Sequence, residues 1–255
     1  MTTPESKLQH AVAAMQEHRH EEALGQVSAV FGAIVSGDAA AALCYPLTMV
    51  LWSQLAATFG PARGTLMVVR NYHADLLLSG DTVFFGRGTP NQQSRFELLV
   101  HIDQILGNSQ GTYALFKHLL GVLPEAASRD AHLALPAIIG AGDYVLADRI
   151  LGDPLARLEE LNGLSVLHPL VPAPNTAPRL AAELANFMRD VHMRVAVLHG
   201  LGRGREADAL INRVKTGIVA RDMRELAERE LAAPGTIVKE MAARQHKADA
   251  QRAQA

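Results

Sequence analysis

Apolar residues recur at helical spacing along most of this chain, and that periodicity limits the folds it can adopt. Within residues 179–200 they are separated by steps of three and four, which places them on one stripe of an α-helix: Leu184, Met188, Val191, Val195 and Leu198. The same spacing returns in several other segments, whereas the alternation typical of strands is nearly absent. The sequence therefore predicts an all-α protein.

Gly-Asp pairs separate many of the periodic segments. Glycine can take the left-handed conformation that ends a helix, and aspartate can cap the next helix, so each pair is typical of a tight helix-to-helix turn. Such pairs begin at residues 37, 80, 142 and 152. The predicted helices are 4–17, 20–36, 39–59, 62–79, 93–106, 110–122, 126–140, 143–151, 154–162, 178–200, 205–220 and 221–232.

Composition places the chain among globular proteins that fold unaided. Apolar residues make up 49% of its 255 residues, enough to bury a sizeable core and too many for a disordered chain. Cys44 is the single cysteine, so no intramolecular disulfide can form, and its apolar neighbours favour a buried side chain. The fold must therefore be stabilised by helix packing.

The best candidate for a domain boundary is the proline-rich segment 165–178, because dense proline cannot continue a helix. The net charge also changes there, from −6 before residue 179 to +4 after it. The predicted parts are an N-terminal array of helical hairpins over 1–164, the connector 165–178, C-terminal hairpins over 179–238, and a frayed or disordered tail over 239–255. One continuous domain is the alternative.

Weak internal repeats are visible in the hairpins. Three tight turns are followed about five residues later by a small residue, which allows two helices to approach closely, and then by an apolar residue four positions on. The pairs are Ala23 and Val27, Ala147 and Leu151, and Ala207 and Ile211. A separate pattern combines two aromatic residues with an apolar and a small residue at fixed spacing: Trp52, Leu55, Ala56 and Phe59.

Together these patterns resemble the two halves of a tetratricopeptide repeat. The resemblance covers three or four hairpins and departs from the family in places. Val68 occupies the position where the repeat has alanine, and the Gly-Asp pairs at 37 and 80 are 43 residues apart instead of 34. The resemblance implies antiparallel hairpins stacked into a right-handed α-solenoid, with a surface that binds a peptide or partner protein.

No motif for catalysis or for a cofactor is present in a suitable context. The histidines do not form a metal-binding H-E-x-x-H pattern, and the Gly-rich segment at 200–204 follows a predicted helix where a dinucleotide site requires a strand. We therefore expect no catalytic residue, no metal and no cofactor. The sequence favours a non-enzymatic scaffold or adaptor.

Four residues are candidates for binding. Arg189, His192 and His199 follow one side of the predicted helix 178–200 and could hold an acidic peptide, whereas exposure to water is the simpler interpretation. His73 lies on an apolar stripe, where an imidazole needs a hydrogen-bond partner or has a perturbed pKa. Burial in the core is the simpler interpretation there.

Two other functions stay open at this stage. An all-α small-molecule binder or enzyme would have a pocket near His73 or His101, with residues 81–93 as a lid. A homo-oligomer would assemble through the apolar hairpin 23–59.

Other partners and locations are disfavoured. Basic residues after 178 alternate with acidic ones and are accompanied by one aromatic residue, Phe187, so nucleic acid is not an expected partner. The most apolar run, 39–52, is too short to span a membrane. Since the first residues also lack a secretory signal pattern, we expect a cytoplasmic protein.

Overall fold

The computed structural model describes residues 3–89, 92–173 and 176–253. Nearly all secondary structure in them is helical, which confirms the all-α prediction. Two compact units make up the chain, a first unit of Met1–Ala141 and a second unit of Gly142–Ala255.

The first unit contains eight helices and one short β-hairpin within its described residues. They are α1 (Pro4–Gln16), α2 (His20–Val35), α3 (Ala39–Leu43), α4 (Tyr45–Thr58), α5 (Gly60–Leu78), β1 (Val83–Phe85), β2 (Gln93–Ser94), α6 (Arg95–Leu106), α7 (Ser109–Val122) and α8 (Pro124–Gly140).

Helices in the first unit pack mainly on their neighbours in sequence. Leaving aside the five-residue α3, each helix contacts the next one from α1 through α8, and further contacts join α1 to α4, α4 to α6, α5 to α7 and α6 to α8. A continuous apolar cluster runs through the first part of the unit. Trp52 is buried in it, with its ring edge-on to Phe31 and its indole N–H donating to the Ala62 carbonyl at 3.2 Å.

The single helix predicted at 39–59 is two helices in the structure, and Pro46 explains the break. Proline has no amide hydrogen, so it cannot make the helical bond to the carbonyl four residues earlier. Helix α3 therefore ends at Leu43, and α4 begins at Tyr45 with the proline in its first turn.

The segment predicted to be irregular, 81–93, contains a short antiparallel β-pairing. Phe85 of β1 lies opposite Gln93 of β2, with an irregularity in the register. Strand β2 leads directly into α6, where the Ser94 hydroxyl accepts a hydrogen bond from the Glu97 amide at 3.0 Å. The hairpin is thus tied to the start of α6.

The second unit is arranged around one long helix. Its elements are α9 (Tyr144–Ile150), a 3₁₀ turn (Pro154–Arg157), α10 (Leu158–Leu167), α11 (Arg179–Gly200), α12 (Gly204–Gly217), α13 (Arg221–Ala232) and α14 (Thr236–Ala253). Helix α11 contacts all the other elements, and its apolar stripe lies at the centre of the unit's core.

The structure divides the chain between residues 141 and 142, earlier than the segment 165–178 that the sequence favoured. Leu170, from that segment, belongs to the same apolar cluster as Leu161 and Leu180, so the prolines lie within the second unit. The predicted tail is helical through Ala253. Residues 90–91, 174–175 and 254–255, which include Pro174, lie outside the described residues.

Candidate functional site

An open and largely apolar groove of about 1310 Å³ lies in the first unit. Its walls come from the end of α2, from α3 and α4, from the β-hairpin and from α6. Most of its lining is apolar: Ile34, Ala39, Ala42, Leu43, Pro46, Met49, Val50, Phe85 and Ile105. We call this feature the groove.

The wall formed by α3 and α4 presents large apolar side chains to solvent. Leu43 is 79% exposed and Val50 is 51% exposed, although both line the groove. Met49, next to Val50, is buried and connects this wall to the core. A concave apolar surface of this kind is typical of a binding site.

The β-hairpin wall is held in place by the buried guanidinium of Arg95. Its Nε donates to the Asp81 carbonyl at 2.8 Å, and its Nη2 donates to the Asp81 carboxylate at 2.6 Å and to the Val83 carbonyl at 2.9 Å. Its Nη1 donates to Nδ1 of His73. These bonds join the start of the hairpin segment to α5 and to the first residue of α6.

His73 acts as a neutral acceptor in this arrangement. Its pKa is lowered to about 4, first by burial and then by the Arg95 guanidinium, while Asp81 acts in the opposite direction. A guanidinium only donates hydrogen bonds, so the unprotonated Nδ1 is the form that Arg95 requires. The His73 ring also lies edge-on to Phe84, with centroids 5.3 Å apart.

Four polar residues of the groove form a cluster, which we call the polar cluster. The Tyr45 hydroxyl lies 3.0 Å from Nδ1 of His101, and the two rings are stacked. Glu97 precedes His101 by one helical turn and so shares its face of α6. Gln93, the fourth member, is 8% exposed and lines the groove, and its buried Oε1 has no hydrogen-bond partner among the residues that the structure describes.

The structure separates the histidines that the sequence singled out in this unit. His101 lines the groove, as do described parts of the segment expected to be a lid, including Phe85 and Gln93. His73 is not among the lining residues and instead supports the hairpin through Arg95. Its role is therefore to position one wall.

The other three candidates lie along α11 in the second unit. Arg189 is exposed, with its Nε 4.0 Å from the Asp190 carboxylate, and His199 is exposed near the end of the helix. His192 is partly buried, and within the described part of the chain its Nε2 has no hydrogen-bond partner. None of the three lines the pocket of about 320 Å³ found in this unit.

Sequence reasoning missed three members of the polar cluster. Glu97 and His101 are four residues apart on a predicted helix, and that spacing could have indicated a shared face. Tyr45 and Gln93 gave no such signal, because only the helix break and the β-hairpin bring them to the groove.

In the described part of the chain, no group of three or more histidine, cysteine, aspartate or glutamate side chains could hold a metal ion. Among the helices that the structure describes, none combines the length and the apolar character needed to cross a membrane.

Comparisons with known proteins add no family to this description. The chain matches no family model, no curated protein and no solved structure. The function must therefore be argued from the groove and from the polar cluster.

Proposed function

We propose that the protein is an interaction module whose groove binds an amphipathic helix of a partner protein. The main observation in support is that apolar side chains of the α3–α4 wall, above all Leu43 and Val50, are exposed within a concave surface. Helices commonly bind in such grooves by placing apolar residues from successive turns against the wall.

The size of the groove favours a helix over a compact small molecule. Pockets for small molecules are typically about 300–1,000 Å³ and bury most of the ligand surface. The groove has a volume of about 1310 Å³ and walls that stay open to solvent. A helix can cover these walls and keep its polar face in water.

The packing order of the first unit supports a helical-repeat module. Each long helix contacts the next, and α1, α4, α5 and α6 also contact the second next, as expected when hairpins are stacked as in the tetratricopeptide family. The β-hairpin and the short α3 are departures from a plain repeat, and they supply two walls of the groove. A right-handed α-solenoid over this unit is thus part of the proposal.

Small-molecule binding is the second candidate, because Tyr45, Gln93, Glu97 and His101 bring polar groups to one apolar site. A few polar groups in a mostly apolar pocket are typical of such sites. This candidate predicts binding of a fluorescent acyl-chain probe without binding of helical peptides.

The proposal is tested by selecting peptides of about 18 residues, roughly five helical turns, from a displayed library of amphipathic helices against the full chain. Dissociation constants are then measured by fluorescence anisotropy. We expect Val50→Glu to weaken binding about tenfold or more, because it places a charge on the apolar wall.

Val68→Glu is the matched control, since Val68 is an exposed valine of α5 that does not line the groove. It should leave the dissociation constants unchanged. Equal binding to both variants, or a library that yields no binder, would overturn the proposal.

A further inference from the structure

The polar cluster offers hydrogen-bond acceptors, and the described residues that line the groove include no matching cation. Glu97 contributes a carboxylate, Gln93 a buried carbonyl oxygen and Tyr45 a phenol oxygen. None of the residues found to line the groove is lysine or arginine. The cluster is therefore suited to binding a group that donates hydrogen bonds.

Gln93 gives the most specific indication of a bound group. Its side chain is more than nine-tenths buried, and its Oε1 has no partner among the described residues. Buried acceptors are nearly always satisfied, and leaving one unpaired is costly. Gln92, its exposed neighbour, already accepts a hydrogen bond from the Gly88 amide at 3.0 Å. Of these two neighbouring glutamines, Gln93 is therefore the one with an unsatisfied acceptor among the described residues.

Glu97 adds a formal negative charge beside that acceptor. Its side chain makes no hydrogen bond and no ion pair with any residue that the structure describes. This contrasts with Asp103 on the same helix, which is paired with Arg70. In an apolar groove covered by a partner, an unpaired carboxylate favours a cation over a neutral donor, because the reduced dielectric strengthens the charge interaction.

Tyr45 and His101 define the remaining side of the cluster. Burial raises the pKa of the Tyr45 phenol above its ordinary value, so the hydroxyl keeps its proton. That proton can be donated to Nδ1 of His101, 3.0 Å away. The Gln93 side chain acts on the Tyr45 pKa in the opposite direction through a hydrogen bond, so Tyr45 and Gln93 meet in the cluster.

We propose that the polar cluster binds a lysine or arginine side chain of the helix that occupies the groove. The inference rests on the proposed function and names the feature that the partner must carry beside its apolar stripe. The long aliphatic part of such a side chain packs along the apolar wall, while its charged end reaches Glu97 and Gln93. The groove thereby selects its partner by charge as well as by apolar contact.

The test is a double-mutant cycle on a helical peptide selected for binding to the full chain. Glu97→Gln removes the charge while keeping the shape of the side chain, and a lysine-to-methionine change in the peptide does the same on the partner. We expect each single change to weaken binding about tenfold and the second change to add little once the first is made.

Glu21→Gln is the matched control, because Glu21 is exposed on α2 and does not line the groove. It changes the net charge equally and should leave the affinity unchanged. The inference is overturned if selected helices lack a fixed lysine or arginine, or if the two changes act additively, and the proposed function then still stands. If no helical peptide binds, the proposed function fails and the inference fails with it.

Discussion

A buried ion pair of the first unit and an exposed ion pair of the second lie in different surroundings. In the first unit Asp103 is 1% exposed and accepts hydrogen bonds from Arg70 at 3.1 and 3.2 Å, from Asn108 at 2.9 Å and from Thr112 at 3.0 Å. In the second unit the Arg157 side chain is 44% exposed and pairs with two carboxylates at the surface.

This difference determines how each unit should respond to mutation. A buried charge has lost its water and depends on every partner, whereas an exposed pair is replaced by water at little cost. The first unit also holds the groove in shape through buried polar contacts such as Arg95 with Asp81 and His73. We therefore expect its stability to depend on a few polar residues.

The largest expected effect is that of Asp103→Ala. The substitution leaves the Arg70 guanidinium and two neutral donors of α7 and its cap without their acceptor, and we expect a loss of about 3–5 kcal/mol in the free energy of unfolding. Urea unfolding followed by tryptophan fluorescence measures it, because the chain's single tryptophan, Trp52, is buried in the first unit. Asp75→Ala, an exposed change on α5, is the control and should cost far less. Equal losses would contradict the assigned network.

Among the described residues of the second unit, Glu230 is the one charged side chain that is buried. It accepts hydrogen bonds from backbone amides. Its two carboxylate oxygens accept from the Gly235 amide at 2.7 Å and from the Ile237 amide at 2.8 Å. We expect Glu230→Ala to cost about 2–3 kcal/mol, since each is a hydrogen bond to a charged group.

Hydrogen exchange at the amides of Gly235 and Ile237 provides a local readout of this change, and far-UV circular dichroism follows unfolding. Both amides should exchange faster in Glu230→Ala. Glu228→Ala, an exposed change on the same helix, should leave them protected. Unchanged exchange in Glu230→Ala would show that the buried carboxylate does not hold the turn before α14.

The buried histidine makes the first unit sensitive to acid. Its pKa of about 4 in the folded protein lies below its ordinary value of 6.5, so the unfolded chain binds a proton more readily as the pH falls through this window. His73 should therefore stabilise the fold fully above pH 6.5, and this contribution should decline by roughly 1.4 kcal/mol per pH unit as the pH falls toward 4.

The measurement compares urea unfolding of the wild type and of His73→Gln between pH 6.5 and about 5, above the range in which ordinary carboxylates titrate. Glutamine can still accept from Arg95 but does not titrate, so the difference in stability should shrink as the pH falls. His10→Gln, an exposed change on α1, should follow the wild type. A parallel pH dependence in His73→Gln would refute the assignment.

Helical periodicity was sufficient to predict the class of fold, and it failed where single residues override it. The stripe from Leu184 to Leu198 is the buried face of α11, apart from the partly exposed Val195. Pro46 divided one predicted helix because of its missing amide, a local effect that the apolar pattern does not report. The division between residues 141 and 142 depends on which helices pack together, which the apolar pattern does not report.

The groove could be predicted only in part, for a related reason. An inter-helix pocket near His101 with a lid at 81–93 was one of the open alternatives, and His101 and part of that segment do line the groove. The polar cluster, however, depends on contacts between residues far apart in sequence, such as Tyr45 with His101. No spacing rule for a single helix or strand contains that information.

The smallest expected effect is that of Arg157→Gln in the second unit. Its guanidinium lies 3.1 Å from the Glu183 carboxylate and 3.4 Å from that of Asp190, but both pairs are in contact with water. We expect a loss of about 0–1 kcal/mol, which should disappear near 1 M salt because the charges are then screened. Far-UV circular dichroism in urea at low and high salt measures it, with the exposed Arg149→Gln as the control. A loss as large as that of Asp103→Ala would erase the distinction between the units, because it would mean that surface pairs in the second unit stabilise as much as the buried network does in the first.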